Sequence, residues 1–320
     1  MSDAIGSSKA MESLRHFWRR LQPDAMRVKR QYRHHTGMPL DLDAPRSLSE
    51  KFCWLKLYGM TPLHSFCTDK ITAPAYIASR LGPGHVPERI FATYDVADLT
   101  PERIGRAACM IKTNHDSGGI FRVDDAAETD WDDLRDRITR RLKQNFYPNL
   151  RERQYKTIRP GIVVEELLSP GNRAIVSDLR VYCFNGTPKF IRLTQIDVSC
   201  TPKKKILGAG FDLDWSPLPW GYPTDMVGHV AERPAGLDEV IDQARSLAEP
   251  FPFVRVDFLE AKERFLVGEL TFTPSGGIKP FQPFEADLAL GDGLDLQPHG
   301  QEWPHHLEVA KKHLDQCKIR

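Results

Sequence analysis

No C-x-x-C pair links any of the six cysteines, Cys53, Cys67, Cys109, Cys183, Cys200 and Cys317. Their scatter speaks against a zinc ribbon or a redox dithiol and for reduced, packing thiols in a cytoplasmic protein. No secretory hydrophobic region follows Met1, and no apolar run approaches the ~20 residues that cross a bilayer. Charge of one sign is also lacking. With 44 Lys+Arg against 43 Asp+Glu, the net charge is +1, and no global field recruits nucleic acid. Internal repeats and low-complexity tracts are absent, which excludes solenoids and long disordered linkers. What remains is ordinary globular composition, 41% hydrophobic and 27% charged, in 320 residues. That length can bury a large core and carry two lobes.

The most informative stretch is VRVDFLEAKERFLVGELTFTPSGG, residues 254–277. It reads as two antiparallel strands joined at Lys262, Glu263 and Arg264. In the first strand Val254, Val256 and Phe258 point one way, and Arg255, Asp257 and Leu259 the other. In the second, Val267, Glu269, Thr271 and Thr273 share a face. A turn centred on Glu263 sets Asp257 opposite Glu269 and Arg255 opposite Thr271. Cross-strand partners lie about 5 Å apart at Cβ, where like charges repel. Facing carboxylates therefore call for a cation, and oxygen ligands suit Mg²⁺ shared with phosphates. The plainer alternative is a solvent-facing hairpin with two scattered acids. Pro274-Ser275-Gly276-Gly277 follows, a turn whose glycines can bring backbone amides up to an anion.

Residues 9–33 suit a basic amphipathic helix. Met11, Leu14, Phe17, Trp18 and Leu21 form its apolar stripe, amid Arg15, Arg19, Arg20, Arg27, Lys29 and Arg30. Such a helix can meet a membrane surface or an acidic partner, or simply be solvated. Ser47-Leu-Ser-Glu50 is a capping box for a helix through Tyr58 that buries Leu48, Phe52 and Leu55. A second helix is expected from just after Lys70 to Arg80. Cys109–Thr113 and Ile120–Val123 read as strands around a small-residue loop with Lys112 at its base. Lys112 can meet phosphate oxygens there, although no G-x-x-x-x-G-K-[ST] is present. Trp131, Leu134, Ile138, Leu142 and Phe146 line one helix face. Gly161–Leu168 is a buried strand with Glu165 and Glu166 near its end. Asp178 and Arg180 share the face of a strand ending at Asn185-Gly186, a hairpin turn, and Arg192 lies on the return strand. Residues 199–223 read as an irregular substrate-side loop. Helices are expected at 238–249 and from His305 onward.

Taken in order, Asp69-Lys70, Lys112 with Gly118-Gly119, Glu165-Glu166-Leu167, Asp178-x-Arg180, Arg255-x-Asp257 and Glu269-x-Thr271 resemble an ATP-grasp enzyme. The segments KFCWLKLYG, TDK, IKTNHDSGG, VVEELL, DLRVYCFNGTPKFI and the hairpin make the chain similar to the TupA-like ATP-grasp family, associated with bacterial surface polysaccharide synthesis. The likeness runs from about residue 47 to 297. It implies an α+β fold, with two lobes clamping ATP and an N-terminal helical extension. The implied division is a helical segment at 1–60, a pre-ATP-grasp region at 61–108, a small lobe with the glycine loop at 109–170, a C-terminal lobe with the Mg²⁺ site at 171–298, and a final helix at 299–320. The implied reaction activates a small-molecule or glycan carboxylate as an acyl phosphate, which an amine acceptor attacks to form a C–N bond. By the same resemblance, Lys70 and Lys112 hold phosphates under a loop of Ser117, Gly118 and Gly119. Glu165, Glu166 and Leu167 line the adenine hinge, and Asp178 binds ribose. Asp257, Glu269 and Thr271 hold Mg²⁺, and Arg180, Arg192 and Arg255 stabilise phosphoryl charge. Ser275, Gly276 and Gly277 face substrate. Thr271 stands where many such enzymes have asparagine.

Two other functions remain open at this level. Asp212-Leu-Asp214 is a D-x-D pattern that could serve a metal-dependent glycosyltransferase, although Asp41-Leu-Asp43 repeats it. A non-catalytic ATP-binding partner is the third reading, against which the Asp257/Glu269 pair argues.

Overall fold

The computed structural model describes residues 23–105, 108–168, 175–197, 204–261, 264–296 and 303–316. Helix α1, Asp24–Thr36, buries Val28 and Tyr32 and ends where Gly37 turns left-handed at φ 75°. The apolar stripe expected from Met11 to Leu21 lies outside the described residues. Helix α2, Leu48–Trp54, opens with the expected capping box: Glu50 N donates to Ser47 Oγ at 3.3 Å and Ser47 N to Glu50 Oε2 at 3.0 Å. It runs on as a wider turn through Leu55–Gly59. The helix expected after Lys70 is α4, Ala73–Leu81, and a helix not expected from the sequence, α3, Pro62–Thr68, precedes it. Thr61-Pro62 starts α3, because proline costs nothing at a position whose N–H has no helical partner. Asp69-Lys70 occupies the link between them.

Sheet A contains β1, Arg89–Thr93; β2, Cys109–Thr113; β3, Ile120–Val123; and β4, Ile162–Glu166, in the order β1-β4-β2-β3. Its apolar face packs on helix α5, Pro101–Ile104, and helix α6, Trp131–Leu142, through Ile111, Val123, Leu134, Ile138 and Val164. Phe146 falls beyond α6 and leads into a short helix α7, Tyr147–Leu150.

Sheet B contains β5, Ile175–Phe184; β6, Thr187–Asp197; β7, Lys204–Phe211; β8, Phe253–Ala261; and β9, Arg264–Thr271, in the order β7-β6-β5-β8-β9. Leu179, Val181, Ile191, Leu193, Val254, Val256 and Phe258 bury one face against helix α8, Leu237–Ala248, with α3 and α4. Helix α9, Phe284–Asp292, packs on α2, and helix α10, Trp303–Gln316, on α4. Asn185 and Gly186 are both left-handed, at φ 50° and 75°, which suits the twist of a tight hairpin.

Two expectations need correcting here. Residues 199–223 are not irregular throughout, because 204–211 form edge strand β7, with Leu207, Ala209 and Phe211 in the core. Gly208 and Gly210 weaken the strand signal, yet Gly210 lets the next segment lie on the sheet. A Cβ on Gly210 would sit 3.2 Å from Leu218 Cδ1. In the β8–β9 hairpin Ala261 pairs with Arg264, so two residues connect the strands rather than three. The register then slips by one at Gly268, a bulge packed on Leu259. Val267 thereby joins the core face instead of sharing a face with Glu269. Beyond the bulge, Arg255 stands opposite Thr271 and Asp257 opposite Glu269, as expected.

Candidate active site

One residue from each strand of sheet B falls on a single line: Gly210, Arg192, Arg180, Asp257 and Glu269. Direct cross-strand neighbours share a face and lie about 5 Å apart. The face opposite α8 thus carries two arginines followed by two carboxylates. The adjacent line holds Tyr182, Arg255 and Thr271, and Asp178 lies on a third, opposite Leu259.

Hydrogen bonds join the acidic end. Buried Arg255 donates Nε to Asp257 Oδ1 and Nη2 to Asp257 Oδ2, both at 2.5 Å, and Nη2 reaches Thr271 Oγ1 at 3.1 Å. The Thr271 hydroxyl donates to Glu269 Oε1 at 2.9 Å. Arg180 Nε lies 3.8 Å from Asp257 Oδ2. Burial pushes the Asp257 carboxyl up to about 6; Arg255 pulls against it and Glu269 adds to it. The Glu269 side chain is half exposed. Desolvation raises its carboxyl, but Arg255 and Lys70 outweigh that and hold it below the usual range. Two hard carboxylates and a hydroxyl on adjacent strands fit Mg²⁺, which completes its shell with phosphate and water oxygens. Among the described residues no three His, Cys, Asp or Glu gather into a metal cage.

Arg192 stands differently. Its guanidinium is bidentate to Asp225, with Nε at 2.6 Å from Oδ2, and lies over the Tyr222 ring at 4.9 Å. Both partners are buried, whereas Arg180 is partly exposed.

Sheet A brings the other half. Lys112 Nζ pairs with Glu165 Oε2 at 2.5 Å, and Glu166 Oε1 accepts Glu88 N at 3.0 Å. Leu167 follows β4, partly buried. Between β2 and β3, Ser117 and Gly118 form an exposed tip, with Gly118 at φ 85°. Gly119 has no room for a side chain, since a Cβ would fall 1.7 Å from Thr113 Oγ1. Lys70 Nζ donates to Asp116 O at 2.7 Å. Burial lowers the Lys70 pKa, with Glu269 and Asp116 opposing and Lys112 reinforcing. Lys70 therefore lies within reach of charges on both sheets. Asp69 Oδ1 accepts Asn114 Nδ2 at 2.8 Å, which ties this link to the loop.

Ser275, Gly276 and Gly277 are successively left-handed, at φ 52°, 64° and 72°. Lys56, fully buried, donates to Gly276 O at 2.5 Å, and Cys53 Sγ to Gly277 O at 3.2 Å. A Cβ on Gly276 would lie 2.5 Å from Leu150 Cδ1 and one on Gly277 2.9 Å from Phe52 Cβ, so packing alone requires both glycines. Thr273, just before, donates to Glu152 and accepts from Gln154 Nε2 at 2.9 Å. Asp212 caps a turn, accepting Asp214 N at 3.0 Å and Ser216 N at 2.7 Å. Sequence reading misses Asp225, Glu152, Gln154, Lys56 and Arg141. Each sits in a loop or on a helix whose pattern carries no mark of its distant partner.

The sequence profile described as TupA-like ATPgrasp matches residues 50–295. No curated protein sequence matches the chain. Among solved structures, the ATP-grasp ligase PsnB with its minimal precursor is 16% identical, over 78% of this chain and 60% of that one, with TM-score 0.35. A D-alanine–D-alanine ligase from Bacillus anthracis complexed with ATP is 14% identical, over 79% and 67%, with TM-score 0.40. An L-amino acid ligase from Bacillus licheniformis is 12% identical, over 79% and 53%, with TM-score 0.43. The chain spans only about half to two thirds of these ligases' length.

Proposed function

The chain belongs to the TupA-like ATP-grasp family, and from that premise we propose that it is an ATP-dependent carboxylate–amine ligase of surface polysaccharide synthesis. A carboxylate oxygen of the first substrate attacks the γ-phosphorus of ATP and ADP leaves. The amine nitrogen then attacks the acyl carbon, phosphate departs, and the nitrogen loses a proton to leave an amide. An acidic sugar suits the first substrate and an amino compound the second. The observation that carries the reading is the Asp257–Glu269 pair facing across β8 and β9, with Arg255 and Arg180 beside it.

Each residue then has a task. Lys70, held by the Asp116 carbonyl, turns its remaining N–H groups to phosphate oxygens, Lys112 exchanges Glu165 for them, and Ser117, Gly118 and Gly119 cover them. Glu165, Glu166 and Leu167 border the adenine, and Asp178 binds ribose. Asp257 and Glu269, with Thr271 beside them, hold Mg²⁺, which when bound neutralises phosphate charge. Arg180 and Arg255 stabilise the charge on the transferring phosphoryl group, the main requirement of such chemistry. Arg192, already paired with Asp225, supports Arg180 from the next strand. Ser275, Gly276 and Gly277 border the carboxylate substrate. Residues 61–108 and 109–170 form the ATP-side parts, and 171–298 the lobe with the acids. The basic N-terminal segment gives a peripheral contact with a membrane surface or partner protein in the cytoplasm.

The test is incubation with ATP, Mg²⁺ and mixed amino acids and ¹⁸O-carboxylate sugar acids. ADP and phosphate carrying one labelled oxygen are expected. Unlabelled phosphate, or sugar-nucleotide cleavage without ATP, overturns the ligase.

A further inference from the structure

A carboxylate in the middle of a phosphate-covering loop is a puzzle, because Asp116 should repel the ligand its neighbours attract. The structure turns it inward. The Asp116 side chain is 2% exposed. Its Oδ1 accepts the Thr113 hydroxyl at 2.5 Å, and its Oδ2 accepts Arg141 Nε from α6. Arg141 Nη2 also donates to Ser117 O at 2.6 Å and lies 3.5 Å from where a Cβ of Gly118 would be. The same residue's backbone carbonyl holds Lys70. One buried acid thus ties together β2, α6, the loop tip and a lysine from outside sheet A. Neutralised by Arg141, it leaves only Ser117 and Gly118 exposed.

We infer that Arg141 and Asp116 are positioning residues for the terminal phosphates of ATP, bracing the 114–119 loop and, through the Asp116 carbonyl, placing Lys70. The inference rests on the nucleotide site proposed above. Arg141 touches no substrate and acts through the loop. Its charge also cancels that of Asp116, which would oppose phosphate there. Lysine at 141 keeps the charge and one bond but loses the fork that grips Asp116 and Ser117 together.

Calorimetric titration with ATP plus Mg²⁺, and separately with adenosine, tests this on the full chain. Arg141→Met should weaken ATP binding about tenfold, the scale of one charge-assisted bond. Adenosine affinity should stay within twofold, because adenosine never reaches the loop. Arg141→Lys should recover part of the ATP loss at unchanged adenosine affinity. Should Arg141→Met not fold, Arg141→Lys decides alone: three- to tenfold weaker ATP binding with wild-type adenosine binding supports the inference. Equal losses for both ligands mean general damage and overturn it, as does unchanged ATP affinity. A wild-type chain that binds neither ligand removes the nucleotide site itself, and this inference with it, an outcome distinct from wild-type binding that Arg141 does not affect.

Discussion

Removing the charge of Asp225 should destabilise this protein more than removing either acid of the candidate metal pair. The side chains of Arg192 and Asp225 are 7% and 1% exposed, and Asp225 Oδ2 also accepts Tyr222 N at 3.0 Å. Breaking a buried pair from one side strands a charge, and such changes cost about 3–5 kcal/mol. Arg192 also stands directly opposite Arg180 on β5. Without Asp225, two guanidinium groups face each other, and only Asp257, 3.8 Å from Arg180, offsets the repulsion. At roughly 2 °C per kcal/mol for a large chain, Asp225→Asn should lower Tm by about 6–10 °C. Thermal melts followed by circular dichroism measure this. The double variant Arg192→Met with Asp225→Leu removes both charges and fills the space, so most of the loss should return. If Arg192 supports rather than contacts the phosphoryl group, the double variant keeps ATP-dependent turnover within about tenfold, or ~1.4 kcal/mol. A Tm change under 1 °C in the single variant, or no recovery in the double, refutes the reasoning about stability. Lost turnover in a well-folded double variant returns Arg192 to the reacting group.

Glu269→Gln should nearly abolish ATP turnover with little change in Tm, because the side chain is half exposed; full turnover in that variant would remove Glu269 from the site. Asp257 also sets a pH dependence. Its carboxyl titrates near 6 when folded against 3.8 unfolded, so the folded state holds the proton more tightly and loses that stability as pH rises from about 4 to 6. Mg²⁺ competes with the proton, so its stabilisation should be larger at pH 7 than at pH 5; equal Tm increments at both, or a larger one at pH 5, speak against Asp257 as a ligand. Asp212→Ala with Asp214→Ala should retain turnover within about tenfold while losing the two turn bonds of Asp212, and collapse of activity in a folded double variant would revive the glycosyltransferase reading.

Local signals carry as far as local physics does. The Ser47–Glu50 box, the Asn185-Gly186 turn and the alternation of β8 are each complete within a few residues, so the sequence alone determines them. The order of lysines, glycines and acids is likewise visible along the chain. The facing of Asp257 and Glu269 is a mixed case. The strands join with one residue fewer than expected, and the bulge at Gly268 restores the count, so the pairing is right through two features that periodicity does not show. Strand β7 is hidden because its glycines mimic a loop, and only the tertiary structure shows Leu218 lying close over Gly210. Only the tertiary structure decides which arginine is partly exposed and which is buried against its own acid. Asp225 lies 33 residues from Arg192, Arg141 lies 25 from Asp116, and Lys70 lies 46 from the carbonyl it holds. A charge satisfied by so distant a partner leaves no period in the sequence, because the bond depends on where two sheets and a helix come to rest.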